Sequence, residues 1–167
     1  MRRAMDRLMQ AGKRVVRMQR GFAYVVVLAL LAIMAVGSAA VSSVWSAELR
    51  RDRERELVRI GLLYAKAIDA YHATVPGGVK QYPVSLGDLL VDTRFTGTVR
   101  HLRRLYEDPT QPTRPWGLIR APDGSIRGVH STNPSAPLRR EPLELGIVTL
   151  PAAKRYSDWV FAPKVSP

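Results

Sequence analysis

The chain has 167 residues, a net charge of +12 and no cysteine. This length accommodates one modest domain, or a smaller domain together with an anchor. The absence of cysteine excludes a disulfide scaffold, a cysteine-based zinc site, an iron–sulfur cluster and a thiol nucleophile.

Positive charge is concentrated at the start of the chain. Residues 1–21 contain seven Lys or Arg and one acidic residue, Asp6. Residues 48–167 contain 19 Lys or Arg and 13 Asp or Glu, which is a mild basic excess. We therefore predict a basic leader over residues 1–21, where positive charge before a membrane segment influences topology.

An uninterrupted apolar segment follows the leader. Residues 22–47 contain no Asp, Glu, Lys, Arg, Pro or His, and a bilayer core needs about 20 apolar residues in a helix. This pattern predicts a transmembrane helix over residues 22–47. A cleaved secretory signal, cut near Ser38–Ala40, is one alternative, although its apolar region would have about 7–15 residues. A buried core helix is the other, and it would be shorter and would show a polar face.

The orientation of this predicted anchor follows from the lengths of its flanks. Basic residues are equally numerous within about 15 residues of either end, but long domains cross a membrane largely regardless of charge. The segment before residue 22 is short and the part after residue 47 is long. We expect a single pass, with the N-terminus in the cytoplasm and the C-terminal domain exported.

The helix is predicted to continue over residues 48–75. Opposite charges recur three residues apart between Glu48 and Arg59, a spacing that places them on one helix face. An apolar stripe then repeats every three or four residues. Its members are Leu57, Ile60, Tyr64, Ile68 and Tyr71. One long helix and two helices joined by a hinge both fit this pattern, and either would pack its stripe against downstream residues.

Residues 76–167 are predicted to form a small, loop-rich domain, since they contain all twelve prolines. Ser85 is a plausible N-cap of a short helix, with Asp88 three residues later. The strongest hairpin signal joins residues 116–120 to residues 125–130 through Pro122-Asp123-Gly124.

The remaining segments of this domain carry weaker signals. Residues 99–106 fit a loop or a strand, residues 131–153 a long connection, and residues 156–161 a last strand. The predicted fold class is therefore α+β, with a sheet of three or four antiparallel strands laid on the apolar stripe.

Several of these segments resemble a known family. Arg20-Gly21-Phe22, between basic residues and a long apolar helix, resembles the leader of type IV pilins and type II secretion pseudopilins. The later order of Tyr82-Pro83, Leu-Tyr-Glu-Asp-Pro at residues 105–109 and Pro-Trp-Gly at residues 115–117 is similar to the G-type pseudopilins. The resemblance implies a pilin-like fold, cleavage by prepilin peptidase between Gly21 and Phe22, and N-methylation of Phe22.

The chain departs from this family at two places. The family usually has Glu at its fifth mature residue, where the carboxylate pairs with the amine of a neighbouring subunit. The matching residue here is Val26, which removes both a carboxylate that is costly in lipid and the registry that it provides. G-type pseudopilins also bind calcium through a late acidic loop. Residues 124–167 offer only Glu141, Glu144 and Asp158, too sparse for Ca²⁺ coordination, and we predict no metal site.

The other polar and aromatic residues form no pattern that is typical of a catalytic or metal site. Arg100, Arg103 and Arg104, with His101 nearby, form the one basic cluster of the exported part, and we predict a solvated loop there in preference to a binding surface. His72, His101 and His130 are predicted to be solvated or turn histidines, and Ser125 and Ser131 to be loop serines. Glu107 and Asp108 are expected to serve a turn, and Trp116 and Trp159 to lie in the core.

The resemblance implies a structural subunit and no enzyme, with no cofactor. Its partners would be prepilin peptidase, other pseudopilins, an inner-membrane assembly platform and membrane lipid, in a bacterial inner membrane with the C-terminal domain in the periplasm. The alternative is a single-pass anchored binding module that captures a ligand such as DNA through Arg100, Arg103 and Arg104. Steep salt dependence would accompany DNA binding.

Overall fold

The computed structural model describes the backbone of residues 16–164, and within it the side chains of residues 21–35, 45–75 and 77–164. Helix α1 spans Val16–Ala73, 58 residues. The described residues divide into two compact units, residues 16–48 and residues 49–164. Most of the predicted leader, residues 1–15, lies outside the described residues.

Within the part of the chain that the structure describes, no helix has both the length and the apolar character that a membrane span requires. The predicted span of residues 22–47 includes residues 36–44, whose side chains lie outside the described part.

Two small antiparallel sheets follow helix α1 in the second unit. Strands β1 (Gly117–Arg120), β2 (Ile126–His130) and β5 (Val160–Phe161) form the first sheet in the order β1-β2-β5. Strands β3 (Leu143–Leu145) and β4 (Val148–Leu150) form the second. A small α+β fold with a three-stranded sheet is therefore confirmed.

The predicted hairpin joins β1 to β2. Ala121 N–H donates to the Ser125 carbonyl (2.8 Å), and Gly124 N–H donates to the Ala121 carbonyl (2.9 Å). Gly124 has a φ of 82°, the left-handed conformation that glycine adopts without steric cost. Residue type and backbone conformation therefore agree at this turn.

The other short elements are partly as expected. A 3₁₀ helix spans Leu86–Leu89, and the Asp88 carboxylate accepts hydrogen bonds from the backbone N–H and the hydroxyl of Ser85 (both 2.9 Å). Residues 99–106 form a loop. Of the predicted last strand, a 3₁₀ helix occupies Tyr156–Asp158 and only β5 is extended.

The prediction that residues 131–153 form a long connection is wrong. They contain the β3–β4 hairpin, in which Leu143 pairs with Leu150 and Leu145 with Val148. Gly146 turns the chain between the strands with a φ of 68°. Three-residue strands are too short to show a periodic pattern, so only their contacts in the fold reveal them.

The hydrophobic core lies between the second half of α1 and the sheets. All five residues of the predicted stripe are buried, together with Trp116, Trp159 and Phe161. Each large side chain buried in this way contributes roughly 1.5–3 kcal/mol. The stripe prediction is confirmed because a period of 3.6 residues places these side chains on one helix face.

Gly61 permits the close approach of α1 to β5. A Cβ at this position would lie 2.4 Å from the ring of Phe161, well inside van der Waals contact. The absent side chain therefore makes room for the fully buried Phe161 ring.

Candidate functional site

The start of the apolar segment is solvent-accessible in this chain. Gly21 lies in α1, and a Cβ added to it would meet no atom within 4 Å. Phe22 is 73% exposed and Val26 is 40% exposed. Ten apolar residues share this exposure: Phe22, Tyr24, Val25, Val26, Val27, Leu28, Leu30, Leu31, Ile33 and Met34. This exposed apolar surface is longer than soluble monomeric proteins usually leave uncovered.

Glu54 connects α1 to the loop before β3. Its carboxylate accepts hydrogen bonds from the backbone N–H groups of Leu138 (2.6 Å) and Arg139 (3.1 Å) and from the Tyr156 hydroxyl (2.8 Å). Glu54 is only 8% exposed. Charge spacing predicted it as a member of a surface ion-pair series, but the structure gives it three donors on distant segments, of which the Tyr156 hydroxyl is buried.

Burial, followed by the hydrogen bond to Glu54, raises the pKa of Tyr156 to about 12. The phenol is therefore a neutral donor throughout the physiological range. This arrangement provides the negative charge of Glu54 with three neutral donors.

A second buried cluster surrounds Asp92. Its carboxylate receives two hydrogen bonds from the Arg94 guanidinium (2.8 and 2.6 Å) and lies 3.0 Å from His101 Nε2. Arg94 also donates to the carbonyl of Tyr71 (2.9 Å) and lies over the Tyr71 ring at 3.6 Å. The hydrogen bonds from Arg94 hold the pKa of Asp92 well below its usual range, against the opposing effect of burial.

The expectation that His101 is solvated is therefore wrong. Its side chain is 5% exposed and faces Asp92, nine residues earlier. The loop of residues 93–100 brings these residues together, which no local spacing in the sequence indicates.

The segments that carry the family resemblance meet beside α1. The hydroxyl of Tyr64 donates to the Tyr106 carbonyl (3.0 Å) and accepts from the Tyr106 N–H (2.9 Å). Trp116 Nε1 donates to the same carbonyl (2.9 Å). The segments 105–109 and 115–117 are thus joined directly to each other and to the apolar stripe. Burial raises the pKa of Tyr64, so its hydroxyl keeps the proton that it donates.

Asp108, in the segment 105–109, connects this segment to the residue that follows β2. The Asp108 carboxylate accepts from Thr110 N–H (2.8 Å) and Thr110 Oγ1 (2.6 Å), which is the predicted turn role. Asp108 also accepts from the Ser131 hydroxyl, and both side chains are fully buried. The interpretation of Ser131 as an ordinary loop serine is therefore wrong, because it links the turn to the end of β2.

The basic cluster contains the three predicted arginines but not the histidine. Arg100, Arg103 and Arg104 are exposed, whereas His101 turns inward toward Asp92. The Arg104 guanidinium lies 4.9 Å from the Tyr106 ring centroid. The described residues contain no group of three His, Asp or Glu that could hold a metal ion.

The other two histidines are half-buried and in contact with neighbours. The His72 ring stacks on Tyr82 with centroids 3.8 Å apart. His130 Nδ1 lies 2.8 Å from the Ser131 carbonyl. His130 is the last residue of strand β2, and Tyr82, on which His72 stacks, also contacts Arg127 of that strand.

Comparisons with known proteins give little further information. No family model and no solved structure matches the chain. A segment of 90 residues is 36% identical to the L-glutamate oxidase precursor of Streptomyces diastatochromogenes, covering 52% of this chain. The chain spans 14% of the length of that curated relative, so this likeness does not show a family.

Proposed function

We propose that this chain is a pseudopilin-like structural subunit of a type II secretion system or of a related type IV filament. In this proposal prepilin peptidase removes residues 1–21 and methylates Phe22. The apolar helix then leaves the inner membrane and packs with equivalent helices in a filament, while residues 76–167 form its periplasmic surface. The fold is in this proposal pilin-like, and the activity is assembly without catalysis.

The observation that carries the proposal is a difference in exposure between the two halves of α1. From Phe22 to Met34 the described apolar side chains are exposed, whereas the stripe from Leu57 to Tyr71 is buried in the chain's own core. A helix with an apolar surface left over after its own domain has folded needs a second apolar environment. A bilayer and a bundle of like helices both provide one, and close packing favours the transfer between them.

The junction of the resemblance segments supports the same proposal. Tyr64, Tyr106 and Trp116 hold residues 105–109 and 115–117 against the helix. These contacts give those segments a structural role within the subunit. Such a role agrees with an assembly protein. The likeness to the L-glutamate oxidase precursor covers only 14% of that protein, and the proposal takes no catalytic role from it.

Cysteine cross-linking tests this function directly, because the chain has no cysteine of its own. Cysteines at Val26 and Met34, treated with a bifunctional thiol reagent in cells that assemble the filament, should give a ladder of oligomers. The matched control is the same pair combined with Gly21→Leu, which removes the cleavage glycine at a position with no neighbour to disturb. Absence of a ladder, or an equal ladder in the control, would contradict assembly through a processed helix.

A further inference from the structure

The side of the domain that follows the predicted span contains a donor-rich pocket. Arg50 and Arg53 of α1 line a cavity of about 260 Å³ together with residues from three later segments. The other lining residues are Thr110, Asn133, Ser135 and Tyr156. The described lining therefore contains two guanidinium groups, hydroxyls and an amide, and no carboxylate.

The donors of this pocket are only partly used within the chain. In residues 45–75 and 77–164, no carboxylate lies within ion-pair distance of Arg50 or Arg53. Asn133 donates one amide hydrogen to the Thr110 carbonyl (3.1 Å), which leaves the second available. The hydroxyls of Thr110 and Tyr156 already donate to Asp108 and Glu54. The donors that remain for a ligand therefore include the two guanidinium groups and the second amide hydrogen of Asn133, and guanidinium groups are suited to phosphate oxygens.

Two carboxylates, those of Glu54 and Asp108, accept hydrogen bonds from residues that line the pocket. Glu54 accepts from Tyr156 and from two backbone N–H groups, and Asp108 accepts from Thr110 and Ser131. These two carboxylates therefore already have donors. Neither lies within ion-pair distance of Arg50 or Arg53, so neither neutralises the guanidinium groups of the pocket.

We propose that this pocket binds the phosphate group of an anionic phospholipid in the outer leaflet of the inner membrane. The proposal rests on the proposed membrane segment, which ends at Ala47. Arg50 and Arg53 follow it by three and six residues, or about 5 and 9 Å of helical rise. A headgroup layer is roughly 5–7 Å thick on each side of the hydrocarbon core, so these side chains reach the depth of the lipid phosphates.

A neighbouring surface adds to the positive charge around the pocket. A second cavity has four arginines and two carboxylates in its lining, and so a net positive charge; they are Arg51, Arg55, Arg139, Arg140, Glu54 and Glu141. Basic residues near an anionic bilayer surface each strengthen binding by several-fold. Bound lipid would hold the subunit at the membrane until assembly withdraws it, which gives the site a role in the timing of assembly.

Lipid selection by the full chain tests the site. The protein, with residues 1–21 attached, is purified from mixed micelles with equal phosphatidylglycerol and phosphatidylcholine, and retained lipid is quantified by mass spectrometry. We expect phosphatidylglycerol to be enriched on the order of tenfold, and the double variant Arg50→Gln, Arg53→Gln to lose this enrichment. Arg103→Gln with Arg104→Gln removes the same charge elsewhere and should retain it.

The arms of the experiment separate the possible outcomes. Equal retention of both lipids by the unaltered chain, or an equal loss in both double variants, would overturn the site. Saturable binding of inorganic phosphate in lipid-free detergent, without phosphatidylglycerol enrichment, would overturn the lipid assignment in favour of free phosphate. If the double variant Arg50→Lys, Arg53→Lys recovers part of the phosphatidylglycerol enrichment, with unchanged thermal unfolding, the lipid site is supported. Lipid binding is measured on the uncleaved chain, whereas filament assembly requires cleavage after Gly21. Failure of the lipid site is therefore distinguishable from failure of the filament proposal.

Discussion

At the scale of single residues, Glu54 connects α1 to distant parts of the chain. It joins α1 to Leu138, Arg139 and Tyr156, residues 84 to 102 positions away. Removing one partner of a buried charged hydrogen bond leaves the others unsatisfied, which costs more than the bond itself contributes.

We predict that Glu54→Ala lowers the free energy of unfolding by about 3 kcal/mol, because three donors lose a charged acceptor. Denaturant unfolding measures this value. Glu56→Ala is the matched control, since Glu56 lies on the same helix in an exposed pair with Arg59 and should cost less than about 1 kcal/mol. Equal losses in the two variants would show that the buried contacts of Glu54 are not formed.

Asp92 predicts an acid-dependent stability. Its pKa is lowered in the folded chain, first by the Arg94 hydrogen bonds, so the folded state prefers the ionised carboxylate. The stabilisation is present above the ordinary value of 3.8 and is lost as the pH falls below it. Asp92→Asn should therefore lower stability at neutral pH and flatten the decline between about pH 4 and pH 2.

Unfolding curves across this pH range measure the effect. Asp69→Asn, on the exposed side of α1, is the control and should preserve the decline. If Asp92→Asn kept the full slope, the acid dependence would have to be assigned to other carboxylates.

These residue clusters could not be predicted from the sequence. Asp92 and His101 are nine residues apart, and Arg94 reaches Tyr71 across 23 residues, so their meeting depends on loop conformation. Ser131 and Asp108 are likewise brought together by the end of β2. Local patterns report on periodic elements, whereas these contacts depend on tertiary packing.

At the scale of elements, the contact between α1 and β5 depends on the absence of a side chain. Gly61 faces the Phe161 ring, and helix propensity alone would favour Ala over Gly by about 1 kcal/mol. The packing constraint opposes this gain, because a Cβ would overlap the ring.

We predict that Gly61→Ala destabilises the domain by about 1–3 kcal/mol through overpacking, in spite of the better helix propensity. Thermal or denaturant unfolding measures the loss. Combining it with Phe161→Leu, which removes the ring, should recover part of the loss relative to Phe161→Leu alone. A stabilised Gly61→Ala variant would contradict the close packing of α1 on β5.

Predictability differed among the elements for physical reasons. The apolar stripe of α1 and the β1–β2 turn carry strong local signals, a period near 3.6 and a Pro-Asp-Gly sequence, and both were predicted. Strands β3 and β4 have three residues each and were missed, because so short a strand is stabilised mainly by its partner. A 3₁₀ helix at Tyr156–Asp158 occupies part of a predicted strand. That segment was also too short for its sequence pattern to distinguish a strand from a turn of helix.

At the scale of the whole molecule, the chain combines an N-terminal apolar helix with a folded basic domain. Val26 gives the apolar part no carboxylate at the position where the resembled family usually has one. If the proposed function holds, assembly relies on apolar helix packing and on neighbours that supply the register. The leader, the membrane span and the filament remain predictions.

The measurement that tests the central claim most directly is the intact mass and N-terminal sequence of the full-length protein from hosts with and without prepilin peptidase. The proposed function predicts a product that begins at methylated Phe22 when the peptidase is present, and a chain that retains Met1–Gly21 when it is absent. Retention of Met1–Gly21 in both hosts, or a cut near Ala40 in both, would contradict it.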